Sequence, residues 1–368
     1  MLEQILSLPV EKKIGQLFFI GIPGAELDES TRELLNEISP GGVCLFARNI
    51  REAGQTRKLL DEIREISEIA PFLSLDQEGG LVDRLRRIVE PMPAANSFKN
   101  ASDAGNLAEI TAEIIRILGF NMNFAPVVDV MDEVRAKSNN GLYSRAFGDS
   151  KEDVLEFASA YLENFESSGC LGCLKHFPGL GASEVDSHEE LPQVNLSDKE
   201  LFEIDLFPYR EIFKTKEPAA VMIAHASFPK SDFQEKDGEG KLLPSSLSFN
   251  FTTKLLREDL GFDGVAITDD MEMGAILKNY GIGEACLMAI RAGEDMLAVC
   301  AGSHNIREGY YSVLNAVKSG EISESRINQS LKRIAEAKNL INLPLPFDES
   351  RLSALSSKIA ELKANTNS

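Results

Sequence analysis

Eight short, nearly all-apolar runs punctuate the chain: LFFIGI (17–22), GVCLF (42–46), FLSLD (72–76), NFAPVVDV (123–130), CLKHF (173–177), AVMIAH (220–225), GVAITDD (264–270) and DMLAVC (295–300). Runs of this length without polar alternation describe strands covered on both faces. The stretches between them carry helical periodicity, for example over 31–38, 53–66, 103–117, 151–165, 249–259 and 283–292. Parallel neighbours need a crossover, and a helix supplies it, so strand alternating with helix implies a parallel sheet. Eight such units predict an α/β chain closed as a single-domain (β/α)8 TIM-type barrel, with an open doubly wound sheet as the alternative. The barrel is expected over 1–345. A C-terminal helix and tail, packed on the barrel or fraying from it, is expected over 346–368. Segment 230–246 is polar and Gly-bearing and reads as a long loop before the seventh strand.

Composition narrows the function. The net charge of −20 argues against a nucleic-acid grip and against docking on anionic membranes. No apolar run approaches the roughly 20 residues of a membrane helix. The N-terminal stretch lacks a basic region followed by an apolar run and a small-residue cleavage site, so a cytoplasmic protein is expected. The chain has five cysteines, Cys44, Cys170, Cys173, Cys286 and Cys300. An odd number in a chain of 368 residues reads as reduced thiols in small apolar roles. The one CxxC, Cys170 and Cys173, has no second pair to complete a zinc site. No metal or cofactor is called for, and a monomer or weak homo-oligomer is expected.

Residues capable of chemistry gather at the C-terminal ends of the strands: Arg48, Asp76, Asp129, Lys175, His176, His225 and Asp269. Charge buried there is costly without a purpose or a partner. In a (β/α)8 barrel that face builds the active site. Two stretches are sharper. In KHFPGLGASEVDSH (175–188), Pro178, Gly179 and Gly181 end a strand and open a loop. Asp186 and His188 follow two residues apart, so in extended chain both side chains point one way. A carboxylate beside an imidazole fixes its tautomer and makes a general acid/base. The plainer reading is a chance Asp-x-His in a surface loop. In GVAITDDMEM (264–273), an apolar strand runs into two carboxylates. An ionised Asp269 in a barrel mouth could attack an anomeric carbon. Asp269 or Asp270 could equally cap the helix that follows. Two rivals stay open: Lys175 as the Schiff-base lysine of an aldolase, and His176, Asp186, His188, His225 and Asp269 as ligands of a hydrolytic metal.

At these residues the chain resembles glycoside hydrolase family 3, and within it the β-N-acetylglucosaminidases of peptidoglycan recycling. The shared stretches run in the same order over about 10–340. They include LFARN (45–49), LDQEGGLVDRL (75–85), NFAPVVDV, SRAFGDS (144–150), KHFPGLG…DSH, MIAH (222–225), ITDDMEM and AGEDML (292–297). The resemblance implies retaining exo-hydrolysis of terminal β-linked N-acetylglucosamine, with a carbohydrate as the partner. It implies Asp269 as nucleophile, His188 as acid/base and Asp186 as the partner of His188. It places sugar binding at Asp76, Arg84, Arg145, Lys175 and His176. Lys175 and His176 are adjacent, so both reach a sugar only if the strand ends and the chain turns there. Leu180 stands where the family pattern has a histidine, and Leu81 where it has an arginine. A phosphorylase, a β-glucosidase of the same family and a non-enzymatic sugar-binding protein are the alternatives.

Overall fold

In the computed structural model, residues 1–138, 140–184 and 190–366 are described. Eight parallel strands form the centre: β1 Phe18–Gly21, β2 Gly42–Leu45, β3 Phe72–Leu75, β4 Met122–Asn123, β5 Cys173–Phe177, β6 Ala220–Ile223, β7 Val265–Asp270 and β8 Met296–Val299. Each lies beside its neighbour in sequence, and β1 also pairs with β8, Phe18 opposite Leu297. Closure between β4 and β5 rests on the bridges Met122–Leu171 and Val127–Lys175. The backbone bonds Cys173 N to Ala125 O (2.9 Å) and Val128 N to Lys175 O (2.7 Å) complete it. The barrel is therefore closed, and the open sheet is excluded. The apolar run 123–130 makes much less strand than expected. Pro126 has no N–H to give a ladder, so pairing there thins to single bridges.

The outer layer follows the periodicity of the sequence. Helices Glu29–Ile38, Ala53–Ile66, Ala101–Leu118, Lys151–Ser167 and Phe207–Thr215, the π-helical Asn250–Asp259, and Ile282–Ala292 connect successive strands, and Ser303–Lys318 follows the last. Asp28, Asn100 and Ser150 each accept an amide from the first turn of the helix they precede, which satisfies an otherwise orphaned donor. Inside the barrel, side chains interdigitate in layers. Phe19 stacks on Phe72 (6.0 Å between centres) and meets Phe124 edge-on (5.2 Å). Gly42 leaves the room: a Cβ there would lie 2.5 Å from the Phe19 ring.

Helix Glu324–Asn339 follows the barrel, and its Lys338 is buried against Gln16 and Phe72, next to the starts of β1 and β3. The last helix, Glu349–Thr366, packs against Ala101–Leu118 with Leu352, Leu355 and Ile359 buried and an Arg351–Glu113 ion pair at its edge. All five cysteines are free and buried, in line with their reading as small apolar residues. Among the described residues no helix is long and apolar enough to cross a membrane.

Candidate active site

The barrel mouth is built by β3, β5 and β7 together with a hairpin the sequence had not disclosed. Gln77–Gly79 pairs antiparallel with Val82–Asp83 immediately after β3. Gln77 pins it from inside, accepting the Arg84 and Leu85 amides (2.8 and 3.1 Å) and giving its own amide to Asn123 (2.8 Å). Gly79 has φ +94°, and a Cβ there would sit 2.2 Å from the Pro93 carbonyl, so only glycine fits. Asp76, Glu78 and Arg84 are thereby held on one stiff element.

These groups line a cavity of about 350 Å³ with Arg145, Lys175, His176, Asp269 and Asp270, and with Phe46, Phe124, Leu142, Met222 and Met273 as apolar walls. All five sugar-binding candidates and Asp269 are brought together. Asp186 and His188 fall in 185–189, outside the described residues. Leu180, Ser183 and Pro192, on either side of that segment, line the same cavity.

The polar groups form one connected set. Lys175 Nζ donates to Asp76 Oδ1 (2.7 Å) and Glu78 Oε1 (2.6 Å). Arg145 binds Glu78 through Nε (2.8 Å) and Nη2 (3.0 Å), and its Nη2 also lies 3.3 Å from His176 Nε2. A guanidinium only donates, so His176 Nε2 accepts and its Nδ1–H donates to Asp129 Oδ2 (2.7 Å). Arg84 lies 3.7 Å from the other Asp76 oxygen. Burial opposes the charges of Glu78 and Lys175, but the opposite charges beside them win. Glu78 is held well below the ordinary carboxylate range by Lys175 and Arg145, and Lys175 is raised by Asp76 and Glu78.

Asp269 sits near the end of β7, its Oδ1 accepting the Asp270 amide (2.8 Å). Burial pushes its carboxyl up. The imidazoles of His176 and His225, the Asp270 amide and Lys175 outweigh that, and its pKa lies below the usual value. Asp270 goes the other way, to about 7, because burial and the nearby Glu272 and Asp269 carboxylates outweigh the amides it accepts. Neither residue caps a helix. Helix Gly274–Leu277 begins only after Met273, whose side chain caps nothing. Asp270 Oδ1 instead accepts the Glu272 amide (3.1 Å) and the Cys300 amide (3.3 Å).

Other strand-end residues take supporting places. His225 Nε2 donates to the Asp270 carbonyl (3.1 Å) and its Nδ1 meets Ser246 Oγ (2.6 Å). Arg48 bonds the carbonyls of Ile22 and Cys300. β5 runs through Phe177, as the apolar run 173–177 implied, so Lys175 and His176 do not reach the cavity by the strand ending between them. Its pairing with β6 shifts register between Leu174 and Phe177, which breaks the two-residue alternation, and Lys175 and His176 both line the cavity. Glu78 is a functional residue that sequence reasoning misses, although it lies in the LDQEGGLVDRL stretch (75–85). Its two-residue spacing from Asp76 is the one signal in the sequence that points to it.

Fold and cavity together define a class: a (β/α)8-barrel enzyme whose mouth balances carboxylates against cations around a space fit for a small polar ligand. Residues 9–337 match the model of the glycosyl hydrolase family 3 N-terminal domain, and the chain belongs to that family. It is a glycosidase. A beta-hexosaminidase of Tolumonas auensis is 31% identical over 316 residues, covering 83% of this chain and 88% of that one. Beta-hexosaminidase A of Pseudoalteromonas piscicida is 30% identical over 328 residues, and there this chain spans only 54% of the relative's length. The solved structure of a family 3 β-N-acetylglucosaminidase from Paenibacillus sp. str. FPU-7 superposes with a TM-score of 0.85 at 33% identity, covering 97% of this chain and 69% of that one.

Proposed function

We propose that the chain removes terminal β-linked N-acetylglucosamine with retention of configuration, through a covalent glycosyl-Asp269 intermediate. One observation carries this reading. Asp269 is a carboxylate held ionised at the floor of a charge-balanced cavity, with only one of its oxygens bonded among the described residues. In the first step Asp269 attacks the anomeric carbon as the C–O bond to the leaving group breaks, and His188 gives that oxygen its proton. In the second, His188 takes a proton from water, the water oxygen bonds to the anomeric carbon, and Asp269 leaves. Asp186 orients His188, a role supported by their spacing in the sequence. Asp76, Arg84, Arg145, Lys175 and His176 hold the sugar, the carboxylate accepting from hydroxyls and the cations donating.

The rivals fare less well. A Schiff-base lysine must shed its proton, whereas Lys175 is held protonated by two carboxylates. Of the metal rival's residues, His176, His225 and Asp269 belong to no metal-holding group among the described residues, and Asp186 and His188 lie outside them. Glu272 accepts the Gly302 amide (3.1 Å) and Asn305 Nδ2 (2.6 Å) at the start of the helix after β8, away from the cavity, and the choice between water and phosphate as acceptor is left to the buffer comparison below. We further assign the chain to peptidoglycan turnover in the cytoplasm, a compartment in keeping with five free, buried thiols, acting as a monomer or weak homo-oligomer. Residues 1–345 are taken as the barrel and 346–368 as its appended helix.

The test is a pair of nitrophenyl glycosides, with and without the 2-acetamido group, assayed in phosphate and in a non-nucleophilic buffer. Preference for the acetamido substrate at equal rates in both buffers is expected. A faster glucoside, or turnover that requires phosphate, overturns the reading.

A further inference from the structure

We infer that Glu78 is a positioning residue, which presents Arg145 and Lys175 to the sugar and keeps Lys175 from pairing with Asp269. The inference rests on the glycosidase reading of the same cavity. Asp76 and Glu78 are neighbours on one element, yet they are used differently. The Asp76 side chain is 17% exposed and that of Glu78 only 3%. Both Glu78 oxygens are engaged, Oε2 by Arg145 Nε and Oε1 by Arg145 Nη2 and Lys175 Nζ. That leaves little capacity on Glu78 for sugar hydroxyls.

The grip has a geometric consequence. Two parallel bonds from Nε and Nη2 fix the plane of the Arg145 guanidinium. The remaining nitrogen, Nη1, has no partner among the described residues, so it is the edge available to a ligand. Lys175 likewise commits two of its three protons and keeps one. The arm that does this is rigid, since Gln77 and the Gly79 turn lock the backbone on either side of Glu78.

The second consequence is electrical. Lys175 and Arg145 carry two positive charges, and Asp76 and Glu78 return two negative ones. Without Glu78, Asp76 alone would face both cations. Lys175 and Asp269 line the same cavity and Lys175 already acts on that carboxylate, so it would then compete for it as an ion-pair partner. Asp269 has to stay open to attack, and Asp76 has to stay open to sugar hydroxyls. Glu78 satisfies the cations so that these two can.

The experiment is a double-mutant cycle on the full chain with Glu78→Gln, Arg145→Ala and the double variant, reading KM and kcat for nitrophenyl N-acetylglucosaminide. Binding of free N-acetylglucosamine is read by calorimetry alongside, and thermal unfolding checks folding. Glu78→Gln is expected to raise KM and weaken sugar binding by about tenfold or more, and the effect is expected to shrink severalfold once Arg145 is absent. Equal effects in both backgrounds, or unchanged sugar affinity in folded Glu78→Gln, would overturn the inference. If Glu78→Gln does not fold, Glu78→Asp, which keeps the charge and shortens the arm, carries the same cycle. A wild-type chain that binds the sugar but does not hydrolyse the glycoside counts against the glycosidase reading, and the calorimetric cycle still decides the role of Glu78.

Discussion

Asp129 holds His176 and the root of the 175–188 stretch at once: its Oδ2 accepts from His176 Nδ1 at 2.7 Å and its Oδ1 from the Leu180 amide at 2.7 Å. Asp129→Asn replaces one acceptor with a donor. Either the Leu180 amide meets an N–H, or His176 switches tautomer and turns a proton towards Arg145. Partners that orient a site histidine typically matter by one to two orders of magnitude. We expect kcat/KM to fall roughly ten- to a hundredfold with the fold retained. Steady-state kinetics and a melting curve check this. Near-wild-type kinetics would mean that the pair has no part in catalysis.

A second buried pair braces the same region from behind. Arg135 grips Asp205 with two bonds, 2.8 and 3.0 Å, and gives a third to the Val130 carbonyl (3.0 Å). Even so, burial leaves the Asp205 carboxyl raised to about 6. Arg135→Ala strands that carboxylate and should cost about 3–5 kcal/mol. The apolar double replacement Arg135→Met with Asp205→Leu should recover most of the loss, because it removes both desolvation penalties. Denaturant unfolding compares the three. Equal losses in the single and double variants would show that packing, and not charge, sets the cost.

Lys338 makes a prediction in pH. It donates to Gln16 Oε1 (2.8 Å), lies 5.3 Å from the Phe72 ring centre, and has no carboxylate partner among the described residues. Burial lowers its ammonium to about 7, whereas the unfolded chain titrates near 10.5. Between those values the unfolded chain holds more protons than the folded one, so stability rises with pH across that window. Below it the charged form is buried and the full penalty applies. Lys338→Met removes the charge, so its advantage over wild type should be greatest below pH about 7 and shrink towards pH about 10. Denaturant titrations at either end read it, and a constant difference would rule it out.

The strands were readable because burial on both faces leaves uninterrupted apolar runs. The helices were readable because their buried stripes recur with the right period. Where the reading slipped, a local rule was overridden. Pro126 cut short the ladder expected over 123–130. The β5 register shift let Lys175 and His176 share a cavity without the strand ending between them. The capping role open to Asp269 and Asp270 was lost because β7 runs on through both. The Gln77–Asp83 hairpin carries too few apolar residues to announce itself, and its partners lie far off in sequence. Glu78 was hidden for that reason: what it does depends on Arg145 and Lys175, 67 and 97 positions away.

The central claim is that Asp269 is the nucleophile. The direct measurement is incubation with a slow fluorinated N-acetylglucosaminyl donor, followed by intact mass and peptide mapping. We expect one glycosyl adduct per chain, on Asp269, absent from Asp269→Ala, which should also lack turnover. An adduct on another residue, or full activity in Asp269→Ala, would contradict the account.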